Sequence, residues 1–95
     1  MTAYLIADVD VNDPDVYAEY RRQVLPLVTR HGGRFIVRGG AHETLEGAWQ
    51  PKRLVVIEFP DMAALKAWYG SPEYTSLIAL RQSAARGSLI AVEGA

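Results

Sequence analysis

The chain has 95 residues, 49% hydrophobic and 22% charged, with a net charge of -1 and no cysteine. That length supports one domain over residues 1–95 with a modest core of its own. The charge balance gives no basic footprint for nucleic acid or an anionic membrane, and the absence of thiols excludes disulfides, thiolate nucleophiles and cysteine-ligated zinc.

No stretch approaches the roughly 18 apolar residues of a membrane span, and no basic-then-apolar leader opens the chain, so a cytoplasmic protein is expected. Tyr4 to Val11 alternates, with Leu5, Ala7, Val9 and Val11 on one side and Tyr4, Ile6, Asp8 and Asp10 on the other. Period-two alternation predicts a strand. Asn12-Asp13-Pro14 stops it and opens a helix, with Asp13 as N-cap and Pro14 at the first helical position. Tyr17, Tyr20, Val24, Leu27 and His31 then follow on one helical face. Pro26 lies inside the run and removes the bond to the carbonyl of Arg22, which predicts a kink. Gly32-Gly33 ends the helix, where His31 favours the negative end of the dipole.

Arg34 to Arg38 is the second predicted strand, with Phe35 and Val37 on one face and Arg34, Ile36 and Arg38 on the other. The connection from Gly39 to Lys52 is long for a compact domain. Either the strand resumes around His42 to Leu45 past a glycine bulge, or this is a functional loop. Arg53 to Phe59 follows, apolar on both faces except for Glu58, as suits a central strand covered on both sides. Pro60-Asp61 repeats the strand-stop and cap. Met62, Leu65, Trp68 and Tyr69 form the stripe of another helix, which Gly70-Ser71-Pro72 breaks and restarts. Tyr74, Leu77, Ile78 and Arg81 share the next face. This helix is expected to run out near Arg86-Gly87, with a last strand from Ser88 to Glu93.

The order strand, helix, strand, strand, helix, strand predicts an α+β, ferredoxin-like βαββαβ fold. It has a four-stranded antiparallel sheet with helices on one face. The first and third strands are expected to be central and adjacent, that pair running parallel. One face would carry Val55, Ile57, Phe59, Leu5, Ala7 and Val9 under the helices. The other would carry Leu54, Val56, Tyr4, Ile6, Ile90 and Val92 with nothing in the chain to cover it. An apolar patch of that kind marks an interface, so a two-fold homodimer is expected. Asp8 and Glu58 fall on this second face, at the same ends of the paired strands, with Arg34 placed to neutralise them. This dimer-face cluster reads either as an acid/base pair in a small cavity or as a salt-bridged seam.

Several phrases resemble a known family: His31-Gly32-Gly33-Arg34, Arg38-Gly39-Gly40, Leu45 to Pro51, Val55 to Phe59, Ala67 to Tyr74, and Leu80-Arg81. They are similar to domain-of-unknown-function family thirteen-thirty over nearly the whole chain, most specifically from Trp68 to Tyr74 with Arg81. The resemblance implies a ferredoxin-like fold of the dimeric α+β barrel type and no assigned activity. By fold alone it extends to small cofactor-independent monooxygenases, muconolactone isomerases and stress-responsive barrel proteins.

Arg81 shares an inward stripe, so it needs a carboxylate, Glu58 or Glu73, or else an anionic ligand. Tyr17, Tyr20, Trp68 and Tyr74 lie on core-facing stripes; they are either plain core or the polar-tipped lining of an apolar pocket. His42 is a candidate general base or an exposed loop residue. Arg38 with Gly39-Gly40 offers a guanidinium and backbone amides to an anion. Trp49 reads as a lid or as a surface clip. Two histidines far apart make a poor metal site, and no phosphate loop, dinucleotide fingerprint or nucleophile elbow is present. Two readings stand. In one, a homodimer binds or transforms a small apolar, aromatic or carboxylated metabolite without metal or nucleotide cofactor. Glu58 or His42 then moves a proton and Arg81 or Arg38 holds an anion. In the other, the dimer is a non-catalytic ligand-sensing or protein-interaction module.

Overall fold

The computed structural model describes residues 1–95. Alternation in the sequence becomes four strands: β1 (Ala3–Val11), β2 (Arg34–Arg38), β3 (Leu54–Phe59) and β4 (Ala85–Glu93). Three helices connect them: α1 (Pro14–Arg30), α2 (Met62–Tyr69) and α3 (Pro72–Ala84). The caps are those the sequence predicts. Asp13 Oδ1 accepts the Val16 amide at 3.2 Å and Asp61 Oδ1 the Ala64 amide at 2.8 Å. Ser71 serves both neighbouring helices: its hydroxyl donates to the Trp68 carbonyl at 2.8 Å and accepts the Tyr74 amide at 3.2 Å. Helix α1 continues through the exposed Pro26 to Arg30.

The sheet order is β2-β3-β1-β4, and every pairing is antiparallel. The expected parallel relation of β1 and β3 is therefore corrected. The crossover through α1 leaves β1 and β2 pointing the same way, and β3 sits between them opposed to both. The correction dissolves the expected carboxylate pair. Tyr4 faces Glu58 and Asp8 faces Leu54. Asp8 and Glu58 are thus separated along the sheet by about 13 Å, from the rise of an antiparallel strand. Glu58 pairs instead with Arg34, whose Nε donates to Oε1 at 2.9 Å. Asp8 is tied to the long connection, accepting from Trp49 Nε1 at 2.9 Å and the Lys52 amide at 3.1 Å.

Strand β4 begins at Ala85, not Ser88, and α3 ends at Ala84. Ala85 is already extended, at φ -158 and ψ 157, and pairs with Val11. The ladder with β1 therefore claims the residues that helical periodicity would assign to α3. Gly87 fits here because a Cβ would lie 2.6 Å from the Asp8 carbonyl oxygen.

A second correction concerns β2. Phe35 pairs with Ile57, but Val37 pairs with Val56 and Arg38 with Val55. One extra residue, Ile36, is accommodated as a bulge, which shifts the alternation by one. Val37 thereby joins the outer face, and Arg38 turns to the same side as Phe35. Its guanidinium carbon lies 5.0 Å from the Phe35 ring centroid.

Helices α1, α2 and α3 contribute buried residues to the same face. Leu5, Val9, Val55, Ile57 and Phe59 pack with Tyr17, Val24, Leu27, Leu65, Trp68 and Leu77 in one buried cluster. The outer face stays open, with Ile90 59% and Val92 42% exposed. The connection after β2 forms no further strand. His42 Nε2 lies 2.8 Å from the Pro51 carbonyl oxygen and the Thr44 hydroxyl donates to the Trp49 carbonyl at 2.7 Å, so the loop is knitted to itself.

Candidate functional site

A cavity of about 40 Å³ lies between the inner sheet face and helices α1 and α3. Its floor is Leu5, Ala7 and Val9 of β1 with Val55 and Ile57 of β3. Tyr17, Tyr20 and Val24 of α1 and Tyr74 of α3 wall it, with Phe35 and Leu89 from the two edge strands. Helical spacing sets three residues of the α1 wall on one stripe: Tyr17, Tyr20 and Val24 follow at three and four residues. The Ala7 methyl, flanked on its face by Leu5 and Val9, fills less of the floor than its neighbours do.

Polar groups enter this apolar chamber from the helices and from the strand ends. Tyr20 and Tyr74 hydroxyls are 2.8 Å apart and buried. Burial pushes both phenols above their ordinary value of 10.0. For Tyr20 the neighbouring Tyr74 adds to the rise, and the Arg81 charge pulls against it. For Tyr74, the hydrogen bond from Tyr20 and then the Arg81 charge oppose the rise. Both side chains are neutral donors and acceptors at ordinary pH.

Arg81 is only 7% exposed. The expected carboxylate partner does not exist: Glu58 lies on the other side of the sheet with Arg34, and Glu73 makes no ion pair. Arg81 Nε has no hydrogen-bond acceptor. A second guanidinium, which the sequence reading did not single out, is Arg53. It lines the cavity, its Nε is also buried without an acceptor, and its carbon lies 5.8 Å from the Tyr17 ring centroid. The signal for it was present: Arg53, just before β3, shares parity with Val55 and Ile57. Gly39, at φ 72, packs its backbone against this group; a Cβ there would lie 2.7 Å from the guanidinium carbon. Arg21 and Arg38 also reach the cavity, so four arginines line it and no acidic side chain does.

Among the candidate ligand-binding residues, Tyr17, Tyr20, Arg38, Tyr74 and Arg81 are therefore brought together. Trp68 is fully buried in the core, its ring 4.2 Å from Tyr74 and 5.5 Å from Phe59 between centroids. Trp49 is 61% exposed and bonded to Asp8. The candidate catalytic residues Glu58 and His42 both lie outside the cavity, Glu58 on the outer face and His42 in the exposed loop. Asp8, Arg34 and Glu58 do not form one cluster: Arg34 and Glu58 pair, and Asp8 stands apart. No three His, Asp or Glu side chains gather as a metal site, and no helix is long and apolar enough to cross a membrane.

The model of a family described as "Domain of unknown function (DUF1330)" matches residues 2–95. No curated protein matches the chain in sequence. Among solved structures, a protein of unknown function from Rhodopseudomonas palustris is similar at 21% identity and a TM-score of 0.81, covering 99% of this chain and 82% of that one. A dimeric ferredoxin-like protein of unknown function from Jannaschia sp. CCS1 is similar at 16% identity and a TM-score of 0.73, covering 99% and 100%. A cofactor-independent oxygenase from Streptomyces nogalater, SnoaB, is similar at 10% identity and a TM-score of 0.68, covering 99% and 93%. At these identities the likeness shows a shared ferredoxin-like fold.

Proposed function

The chain belongs to the DUF1330 family of domains of unknown function, and we propose that it is a homodimer whose subunits each bind or transform a small apolar, aromatic or carboxylated molecule in the cavity under α1 and α3, without a metal or nucleotide cofactor. The observation that carries the reading is the chamber itself: apolar walls with a few convergent polar tips, the usual composition of a small-molecule site. Tyr17, Tyr20, Arg38, Tyr74 and Arg81 contact the ligand. Glu58 and His42 cannot reach it and have no part in this proposal. Residues 1–95 act as a single domain.

The dimer rests on the outer sheet face. Tyr4, Ile6, Val56, Ile90 and Val92 are joined by direct strand pairing and have no cover within the chain. Sheet-to-sheet pairing about a two-fold axis supplies one. The Jannaschia neighbour, which is described as dimeric, agrees with this.

A non-catalytic ligand-sensing module is the second reading, and one observation favours it. The cavity lining includes no His, Asp or Glu, and its buried phenols are held neutral, so it offers no ready general base. A thermal-shift screen against phenolic, quinone-like and carboxylic compounds tests both readings. A ligand present at a hundredfold excess over its Kd stabilises by about 2.7 kcal/mol. A hit that is turned over supports the catalytic form, and a hit bound unchanged supports the sensor. Silence across the panel refutes the pocket proposal.

A further inference from the structure

The cavity holds more hydrogen-bond donors than it can satisfy. The Tyr20–Tyr74 contact uses one phenol proton and leaves the other. The Arg81 and Arg53 Nε–H groups are buried without acceptors. Arg21 and Arg38 add two more guanidiniums, and the lining contains no Asp, Glu, Asn, Gln or His. A guanidinium carries donors only and does not lose its proton in a protein, so Arg81 cannot relieve its burial by becoming neutral. A buried charge needs a counter-charge, and the chain supplies none here, where Arg81 meets only the neutral Tyr74 hydroxyl.

We infer that the cavity is a carboxylate-binding site. The ligand's carboxylate meets Arg81 and the spare phenol proton of the Tyr20–Tyr74 pair, and its apolar body lies over Ala7 and Ile57. This rests on the pocket reading above and names its ligand class. A carboxylate fits the imbalance because it is purely an acceptor, with about four lone-pair sites. Neutral amides and alcohols bring donors of their own into a chamber that already has a surplus. Amines bring a second positive charge. The volume limits the buried portion: about 40 Å³ holds roughly three waters, which matches the three heavy atoms of a carboxylate, so the apolar body extends from there toward the opening. A longer ligand leaves past Arg38, a side chain on the exposed end of β2. A phosphate group of similar size would bring a second charge against apolar walls, which disfavours it.

The test compares propionate and benzoate with propionamide and benzamide by calorimetric titration at pH 7, with inorganic phosphate as a separate arm. The acids are expected to bind at least tenfold tighter than their amides. Arg81→Met should erase that preference, whereas Arg34→Met, the same change of charge on the outer face, should keep it. In the unmodified protein, the Arg81 Nε–H resonance should shift on adding benzoate, and this decides the matter if Arg81→Met does not fold. Equal binding of acids and amides overturns the carboxylate assignment and leaves the pocket reading standing. Phosphate binding as tightly as benzoate also overturns it. Binding by none of the probes overturns both.

Discussion

The Tyr20–Tyr74 hydroxyl pair makes a prediction whose sign depends on how many partners are removed. Tyr20→Phe or Tyr74→Phe alone leaves one buried hydroxyl facing a methine, and an orphaned buried polar group costs about 1–3 kcal/mol. Removing both hydroxyls leaves no orphan between them, so the double variant should lie within about 1 kcal/mol of the parent. The contact is 2.8 Å long and buried, so solvent does little to soften the single losses. For a domain of this size each kcal/mol moves the Tm by roughly 4–8 °C. The assay is thermal unfolding of the parent, both single variants and the double variant at one fixed protein concentration, because a dimer's Tm depends on concentration. Both single variants should melt lower than the double. If the double loses the sum of the two single losses to within about 0.5 kcal/mol, the hydroxyls do not act as a pair and the reasoning fails.

Four further outcomes are expected. Both phenols keep their protons in the folded state where the unfolded chain releases them, so their contribution to stability is fully present below pH 10 and is lost as pH rises further. Urea midpoints from pH 8 to 11 should fall above pH 10, and the double Phe variant should fall less steeply. Pro26→Ala restores the Arg22 carbonyl's helical partner at an exposed position and should stabilise by about 1–3 kcal/mol in urea unfolding; a loss would contradict this. Gly39→Ala forces an alanine to φ 72 and crowds Arg53, so it should cost about 1–2 kcal/mol in thermal unfolding and weaken benzoate binding in titration. Ile90→Asp places a charge on the outer face and should yield folded monomers by sedimentation, with circular dichroism unchanged.

The caps and the inner face were legible because each rests on local chemistry. Asp13-Pro14, Asp61 and Ser71-Pro72 announce three helix starts without reference to anything distant. Leu5, Ala7, Val9, Val55 and Ile57 announce one buried face by period two. What escaped the sequence was set by partners far along the chain. Asp8 binds Trp49 and Lys52, more than forty residues away, and nothing near Asp8 signals that. The bulge at Ile36 was invisible because Ile36 and Val37 are both apolar, so the pattern gives no contrast that would reveal a slipped register. Arg81 was correctly placed facing inward, but its want of a carboxylate went undrawn because Glu58, already set on the outer face by period two, was still counted as its partner. Alternation alone puts Glu58 on the outer face, where Arg34 on the neighbouring strand pairs with it.

The bulge in β2 gives this fold an unusual lever over its own interior. Because Ile36 is accommodated as a supernumerary residue, Arg38 owes its inward orientation to the bulge and not to its parity along the strand. Were the same residues to pair without the bulge, Val37 would enter the chamber and Arg38 would leave it, with no amino acid changed. Relatives aligned by substitution alone would look equivalent at Val37 and Arg38 yet present opposite surfaces to a ligand. Ligand preference among such proteins can thus diverge with the presence or absence of one bulge at a sheet margin, leaving the buried framework untouched.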